Sequence, residues 1–213
     1  MDIYASDEEK AEAIKQWWRD NGRSVVAGVI LGGAAIFGFR YWTTHEDLQA
    51  QNASVLYQQA AIQMNQSEYD QAQATVAQLT QDYDSTAYAV FAALELAQVA
   101  VKKNELSKAE EQLSWVLDKA KLSAHRDLAR LRLVQLNLQQ ENYAKANELI
   151  TNAETVAFSS MFAELEGDIA LAQGKNDEAR GAYQRAVASI AVGDPRQQLL
   201  QLKLDDVAVA HEG

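Results

Sequence analysis

The sequence predicts an all-α protein: a single transmembrane helix near the N-terminus, then an α-solenoid of about four helical hairpins with a C-terminal capping helix. Two observations support this fold. An uncharged, mostly apolar block, Ser24–Phe39, lies between Arg23 and Arg40. Beyond it, alanines and larger apolar residues recur at a nearly constant interval, which is typical of stacked helical repeats. No segment shows a convincing strand pattern.

The N-terminal segment, residues 1–22, is predicted to be a short helix on the cytoplasmic surface of the membrane. Ser6 and Glu9 have the spacing of a capping box, in which both side chains accept hydrogen bonds at the start of a helix. One helix face carries three apolar residues that can lie against lipid: Ile14, Trp17 and Trp18. The pair Asn21–Gly22 is predicted to end or kink this helix.

The apolar block is shorter than the roughly 20 residues that normally span a bilayer. Arg40 can extend its guanidinium toward the headgroups, and Tyr41 and Trp42 are typical of the membrane interface. The predicted transmembrane signal anchor, here called the span, is therefore residues 23–42. A buried helix of a soluble core is the alternative, but the aromatic residues and arginines at both ends disfavour it.

Basic residues predict the orientation of the span. Four of them precede the apolar block, whereas Arg40 alone follows it before Lys102. Because Lys and Arg are enriched on the cytoplasmic side, we expect a cytoplasmic N-terminus and an exported C-terminal domain. A cleaved signal peptide is the competing interpretation. The bulky sequence Phe39–Trp42 offers no small-residue cleavage site, which favours an uncleaved anchor.

Small residues spaced four apart in the span predict a contact with another membrane helix. The contact residues are Gly28, Gly32, Ala34 and Gly38. Because glycine is common in membrane helices, a span without a specific partner also fits this spacing.

The segment 43–207 contains an internal repeat. Four short motifs each end in an alanine, and these motif alanines are 37, 37 and 33 residues apart. The motif alanines are Ala72, Ala109, Ala146 and Ala179. Apolar residues follow four positions later, at Val76, Leu113, Ile150 and Tyr183, and again after three more, at Leu79, Val116, Ala153 and Ala186. Small or medium residues precede the alanines by twelve positions, at Ala60, Ala97, Val134 and Gly167.

This pattern resembles the tetratricopeptide repeat, a pair of antiparallel helices with small residues where the two helices touch. The last unit matches best, with Gly167, Gly174 and Tyr183 in the expected order. The usual tryptophan position instead holds Ala93, Arg130 and Ala163 in units two to four. The repeats are therefore divergent. An unrelated α bundle is the alternative, but four units in phase favour the solenoid.

The end of the repeat domain is marked by Gly193–Pro195. The leucine-rich stretch Arg196–Val207 is predicted to be the capping helix that a repeat array needs at its exposed end. Residues 208–213 are predicted to be a flexible tail. The predicted domains are therefore residues 1–22, 23–42, 43–207 and 208–213.

Composition argues against several classes of function. The chain has no cysteine, which excludes thiol catalysis and cysteine-ligated zinc. Of its net charge of −11, residues 43–213 carry −10, so we expect no nucleic-acid binding. The three histidines are far apart in sequence, so no metal site is predicted. Glu164 and Asp168 share a helix face, but a solvated acidic surface explains them without acid–base catalysis. We therefore predict no enzyme and no cofactor.

The concave face of such a stack, here called the groove, is formed by the first helix of each hairpin and can hold a peptide or a helix. The predicted groove residues are Tyr57, Met64, Phe91, Leu94, Gln98, Val101, Leu128, Leu131, Gln135, Leu138, Met161, Glu164, Asp168 and Leu171. The groove is expected to be largely apolar, with acidic residues at one end. Adjacent units are expected to bury about half of these side chains.

Several motifs resemble the YfgM family of bacterial inner-membrane proteins. They are Met1–Tyr4 followed by acidic residues, Trp17–Trp18, Asn21–Gly22, Gly28–Gly32, Arg40–Trp42, Leu94–Gln98 and Lys103–Leu106. The resemblance implies an accessory subunit of the SecYEG translocon, with a periplasmic domain similar to tetratricopeptide repeats. It also implies contacts with a PpiD-like foldase, periplasmic chaperones and exported client proteins. Membrane lipid around the span is a further expected partner.

The expected function is therefore binding. The anchor holds the repeat domain at the membrane, which raises its local concentration near the translocon. The groove binds exported proteins or partner subunits and helps to pass clients to periplasmic chaperones. The alternative is a cell-envelope or cell-division scaffold that joins membrane proteins through the same domain.

Overall fold

The computed structural model describes residues 7–209, and the side chains of residues 9–207. This part of the chain contains nine α-helices and no strand, which confirms the all-α prediction. The helices are α1 (Asp7–Asn65), α2 (Tyr69–Asp82), α3 (Ala87–Lys102), α4 (Leu106–Lys119), α5 (Ser123–Gln139), α6 (Tyr143–Thr151), α7 (Ser159–Ala172), α8 (Asn176–Ser189) and α9 (Gln197–Val209). The predicted N-cap Ser6 and residues 210–213 of the predicted tail lie outside the described residues.

The chain divides into two compact units, residues 1–49 and 50–213. In the first unit, α1 continues through Asn21–Gly22, so the helix does not end there, and a kink at this pair remains a prediction. Glycine inside a helix costs only about 1 kcal/mol relative to alanine. The Asn21 side chain finds a hydrogen-bond partner within the same helix, because its Nδ2 donates to the Trp17 carbonyl oxygen at 3.1 Å. The Trp18 ring covers Gly22.

Helix α1 contains a window that is long and apolar enough to cross a membrane, with a mean hydropathy of 1.6. Only 6% of this window is buried. Val29, Ile30 and Phe37 are 70%, 64% and 77% exposed. Side chains of this kind are suited to contact with lipid rather than with water. The boundaries 23–42 and the orientation of the span remain predictions.

The second unit consists of four helical hairpins and one further helix, as predicted. The last part of α1 pairs with α2, where Thr75 Oγ1 donates to Gln63 Oε1 at 2.8 Å, and the other hairpins are α3–α4, α5–α6 and α7–α8. The second helix of each hairpin also contacts the first helix of the next hairpin, and α9 contacts α8 in the same way. The hairpins therefore stack in chain order, each against the next, and this arrangement is a solenoid.

The four hairpins turn with the same backbone geometry. Each turn has a left-handed residue five positions before the motif alanine: Ser67 (φ 63°), Asn104 (60°), Glu141 (60°) and Gly174 (73°). The amide after it donates to the carbonyl five residues earlier, as from Lys175 to Ala170 at 2.9 Å. This hydrogen bond satisfies a carbonyl at the helix end. The repeat therefore includes a shared turn that only Gly174 indicated in the sequence.

All four motif alanines are fully buried. Most of the apolar residues that follow them are buried as well. Ile150 is half-buried and Ala153 is exposed, so the predicted pattern fails in the third hairpin. The reason is that α6 ends at Thr151, which places Ala153 beyond the helix.

Candidate binding groove

A row of aromatic side chains crosses the first three hairpins of the second unit. The ring centroid of Tyr57 lies 5.8 Å from that of Tyr88 and 6.5 Å from that of Phe91. Phe91 in turn meets His125 of α5 edge-on at 5.3 Å. Tyr88 and His125 were not predicted as groove residues. Each lies three positions before a predicted one, so extending the same helical periodicity by one turn would have found them.

Two polar groups, Glu95 and Arg132, lie beside this aromatic row, and sequence periodicity missed both. The Tyr57 hydroxyl donates to Glu95 Oε1 at 2.6 Å. This hydrogen bond, together with burial, raises the pKa of Tyr57 to about 12. Arg132 Nη1 donates to the Leu94 carbonyl at 2.8 Å. Burial lowers the pKa of Arg132, and the charge of Glu95 offsets part of that effect.

A cavity of about 250 Å³ lies between α3 and α5. Its lining residues are Ala97, Gln98, Val101, Leu113, Arg132, Gln135, Leu136 and Gln139. Three of them, Gln98, Val101 and Gln135, were predicted as groove residues, and the fold brings them together. The lining of the cavity combines apolar side chains with amide groups and one guanidinium.

The predicted groove residues differ in how accessible they are. The exposed ones are Phe91, Gln98, Val101, Gln135 and Leu171, and the half-buried ones are Tyr57, Met64, Leu128, Leu138, Met161, Glu164 and Asp168. Leu94 and Leu131 are only 5% and 4% exposed. Their placement in the groove is corrected, because both side chains pack into the hydrophobic core. Of the predicted groove residues these two are buried, whereas about half were expected to be.

The predicted acidic end of the groove is neutralised by α9. Lys203 Nζ lies 2.8 Å from Glu164 Oε1 and 2.7 Å from Asp168 Oδ1. Arg196 also reaches Glu164 at 3.4 Å, and the Tyr183 hydroxyl donates to Asp168 at 2.8 Å. Burial lowers the pKa of Lys203, but its hydrogen bonds to the two carboxylates outweigh this and raise it. These two carboxylates therefore do not form a free acidic surface.

A buried carboxylate positions the segment between α6 and α7. Asp127 is 0% exposed and accepts hydrogen bonds from the backbone amides of Glu154, at 3.1 Å, and Thr155, at 2.7 Å. Arg130 contacts both Asp127 and the side chain of Glu154. Hydrogen bonds from Arg126 and Arg130 lower the pKa of Glu154 to about 2. Arg130, at the usual tryptophan position of the repeat, thus helps to orient the fourth hairpin through this ion-pair network.

The four candidate membrane-contact residues are all exposed on α1. A Cβ built at Gly28, Gly32 or Gly38 would have no neighbour within 4 Å. Because each helical residue turns by about 100°, the pair Gly28/Gly32 lies roughly 120° around the helix from the pair Ala34/Gly38. The four residues therefore form two faces, and their contact with a partner helix remains a prediction.

The chemistry that the groove offers is binding. Aromatic rings provide apolar contact, the glutamine side chains can both donate and accept hydrogen bonds, and Arg132 supplies a positive charge. Within residues 7–209, no group of three His, Asp or Glu side chains is arranged to hold a metal ion.

Comparisons with known proteins agree with this architecture. The family model for the tetratricopeptide repeat-like domain matches residues 15–209. A relative from Escherichia coli (strain K12), named ancillary SecYEG translocon subunit, is 30% identical and is covered over 98% of this chain and 100% of its own length. A relative of the same name from Haemophilus influenzae is 30% identical, with 94% and 97% covered. One from Neisseria gonorrhoeae, also of that name, is 27% identical, with 97% and 100% covered.

Proposed function

The chain belongs to the YfgM family of tetratricopeptide repeat-like proteins, and on this premise we propose that it is an ancillary subunit of the bacterial Sec translocon. The relatives that carry this name align with the chain over almost their whole length. The alignment therefore includes both the apolar part of α1 and the repeat domain. In this proposal the chain is an inner-membrane protein with no enzymatic activity.

The proposed topology has the N-terminus in the cytoplasm and the repeat domain in the periplasm. Four basic residues precede the apolar block, and such residues are retained on the cytoplasmic side. Exposed apolar side chains along this part of α1 support its insertion into lipid. Protease added to intact spheroplasts should then digest the repeat domain and leave the N-terminal segment protected. Protection of the repeat domain in sealed spheroplasts would contradict the topology.

The groove is the proposed binding site for exported polypeptides. The observation that supports this most is the accessible aromatic row, which shares helices α3 and α5 with the cavity. Phe91 and Val101 are 38% and 41% exposed on α3, where roughly three helical turns separate them. Partly exposed apolar groups of this size suit brief contacts with unfolded chains, because burying one side chain contributes only about 1.5–3 kcal/mol. Binding of this strength permits release.

Anchoring increases the effect of such weak binding. A domain fixed beside the translocon meets emerging polypeptides at a high local concentration, so low intrinsic affinity suffices. Release toward periplasmic chaperones, together with a PpiD-like foldase at the same site, completes the proposed sequence of steps.

Site-specific photocrosslinking in cells tests this function. A photoreactive residue at Val101 should form adducts with translocon subunits or with exported polypeptides. The matched control is Glu111, an exposed residue of α4 outside the groove. Equal adducts from both positions would contradict a role for the groove. Adducts with division-site proteins in place of the translocon would support the alternative of a cell-envelope scaffold.

A further inference from the structure

We infer that the cavity between α3 and α5 binds a carboxylate group of the polypeptide ligand, with Arg132 as its partner. This inference rests on the proposed function, because it assigns a chemical preference to the same groove. It concerns two sources of one chemistry: the C-terminal carboxylate of a polypeptide, and the side chain of an internal Asp or Glu.

Arg132 is a half-buried cation without an anionic partner in the described part of the chain. A guanidinium has five N–H donors, and the contact formed here is the hydrogen bond to the Leu94 carbonyl at 2.8 Å. Arg126, Arg130 and Arg196 each reach a carboxylate. Removing a charge from water without a partner is unfavourable. A ligand carboxylate would supply the missing partner.

The carboxylate of Glu95 influences Arg132 but is not its ion-pair partner. Glu95 acts on Arg132 through its charge alone and forms no ion pair with it. Its Oε1 instead accepts the hydrogen bond of Tyr57 at 2.6 Å. The guanidinium therefore retains donors that can form the two parallel hydrogen bonds typical of an arginine–carboxylate pair.

The surroundings of Arg132 fit a peptide that carries such a group. The apolar residues that line the cavity are Ala97, Val101, Leu113 and Leu136. Three glutamines line the same cavity: Gln98, Gln135 and Gln139. None of their side chains forms a hydrogen bond within the described residues, and a primary amide can pair with a peptide group through both its oxygen and its nitrogen. The site thus combines contacts for a carboxylate, for a peptide backbone and for an aliphatic side chain.

The net charge of the repeat domain does not attract acidic ligands as a whole, so recognition of a carboxylate depends on the local contact with Arg132. Residues 43–213 carry a net charge of −10, so strongly acidic polypeptides are repelled at long range. We therefore expect the preferred ligand to be a mostly apolar segment with one carboxylate.

Fluorescence polarisation with the full-length chain in detergent micelles tests the inference. The probes are four forms of one labelled apolar decapeptide, which combine a free or amidated C-terminus with an internal Glu or Gln. A peptide with a carboxylate that reaches Arg132 should bind about tenfold more tightly than the form without carboxylates. The peptide that binds more tightly shows whether Arg132 binds the C-terminal carboxylate or the internal Glu side chain. Arg132→Gln should remove the gain and leave binding of the form without carboxylates unchanged.

Two further variants keep the result specific. Arg132→Lys keeps the charge but loses the fork of donors, so it should retain only part of the gain. Arg180→Gln, which removes an exposed charge from α8, should retain all of it. Equal losses in Arg132→Gln and Arg180→Gln would overturn the inference, and so would equal wild-type affinity for the four peptides. In the latter case the proposed function stands, whereas failure of all four peptides to bind would overturn both.

Discussion

Gly167 of α7 lies against the ring of Tyr183 of α8, so closely that a Cβ at position 167 would be 2.4 Å from Tyr183 Cε1 and 2.5 Å from Cδ1. The ring cannot easily move aside, because Tyr183 is 0% exposed and its hydroxyl donates to Asp168 at 2.8 Å. The close approach of α7 and α8 therefore requires glycine at this position.

We expect Gly167→Ala to reduce the free energy of unfolding by about 1–3 kcal/mol, because the added methyl overpacks the interface. The intrinsic helix preference of alanine acts in the opposite direction by about 1 kcal/mol. Gly181→Ala on α8 is the matched control, since its Cβ would meet only Arg185 Nη1, at 3.8 Å. Thermal unfolding should show a loss for the first variant and no loss for the second. Equal effects would contradict the packing argument.

Substitutions at two of the left-handed turn residues should change stability in opposite directions. Glu141 has φ 60° and Gly174 has φ 73° at the same position of their hairpins. A residue with a Cβ is disfavoured in this conformation by about 1 kcal/mol. Glu141→Gly should therefore raise stability by about that amount, and Gly174→Ala should lower it similarly. Urea unfolding measures both, and changes of the same sign would refute the proposed equivalence of the turns.

Asp127 should be the most sensitive acidic residue outside the groove. Asp127→Ala leaves Arg130 and two backbone amides without their carboxylate, and losing one partner of a buried pair costs about 3–5 kcal/mol. Asp118→Ala is the control, because the Asp118 side chain is 77% exposed. Calorimetry of both variants tests this. A loss below about 1 kcal/mol for Asp127→Ala would show that the network contributes little.

Glu154 should make stability depend on pH in the acid range. Its pKa falls from 4.5 to about 2 on folding, because Arg126 and Arg130 donate to the carboxylate. A lowered pKa favours the folded state while the group is ionised, so this contribution is complete above pH 4.5 and is lost as the pH falls toward 2. The stability difference between wild type and Glu154→Gln should therefore shrink across that window in denaturant titrations. Glu148→Gln, which changes an exposed carboxylate, should show no such change, and a constant difference for Glu154→Gln would disprove the assignment.

Substitution of Leu94 should affect stability, whereas substitution of Val101 should affect binding. Leu94→Ser should lower stability by about 2–5 kcal/mol, since the side chain is 5% exposed. Val101 is 41% exposed, so Val101→Ser should change stability by no more than about 0.5 kcal/mol and should weaken polypeptide binding. Melting curves and peptide titrations on both variants check this. Tight peptide binding by a folded Val101→Ser variant would remove Val101 from the groove.

Periodicity identified the features that each hairpin shares. The spacing of Ala72, Ala109, Ala146 and Ala179 located four hairpins, because closely packed helix pairs need a small residue at the crossing in every unit. Gly167 was found for the same reason. Gly174, the left-handed glycine of the last hairpin, gave no indication of the equivalent turns, because Ser67 and Glu141 are residue types that rarely adopt this backbone conformation and an asparagine such as Asn104 is not specific to it.

The amino-acid sequence by itself therefore determined the apolar segment, the helical repeat and the side of each helix that faces its own hairpin partner. Those properties depend on residues close together in the chain. Only the tertiary structure decided that Leu94 is covered while Val101 is open, that α9 neutralises Glu164 and Asp168, and that Arg132 forms no ion pair with any residue that the structure describes. The physical reason is that the exposure and charge balance of a side chain depend on neighbours from other hairpins, whose approach no local spacing encodes.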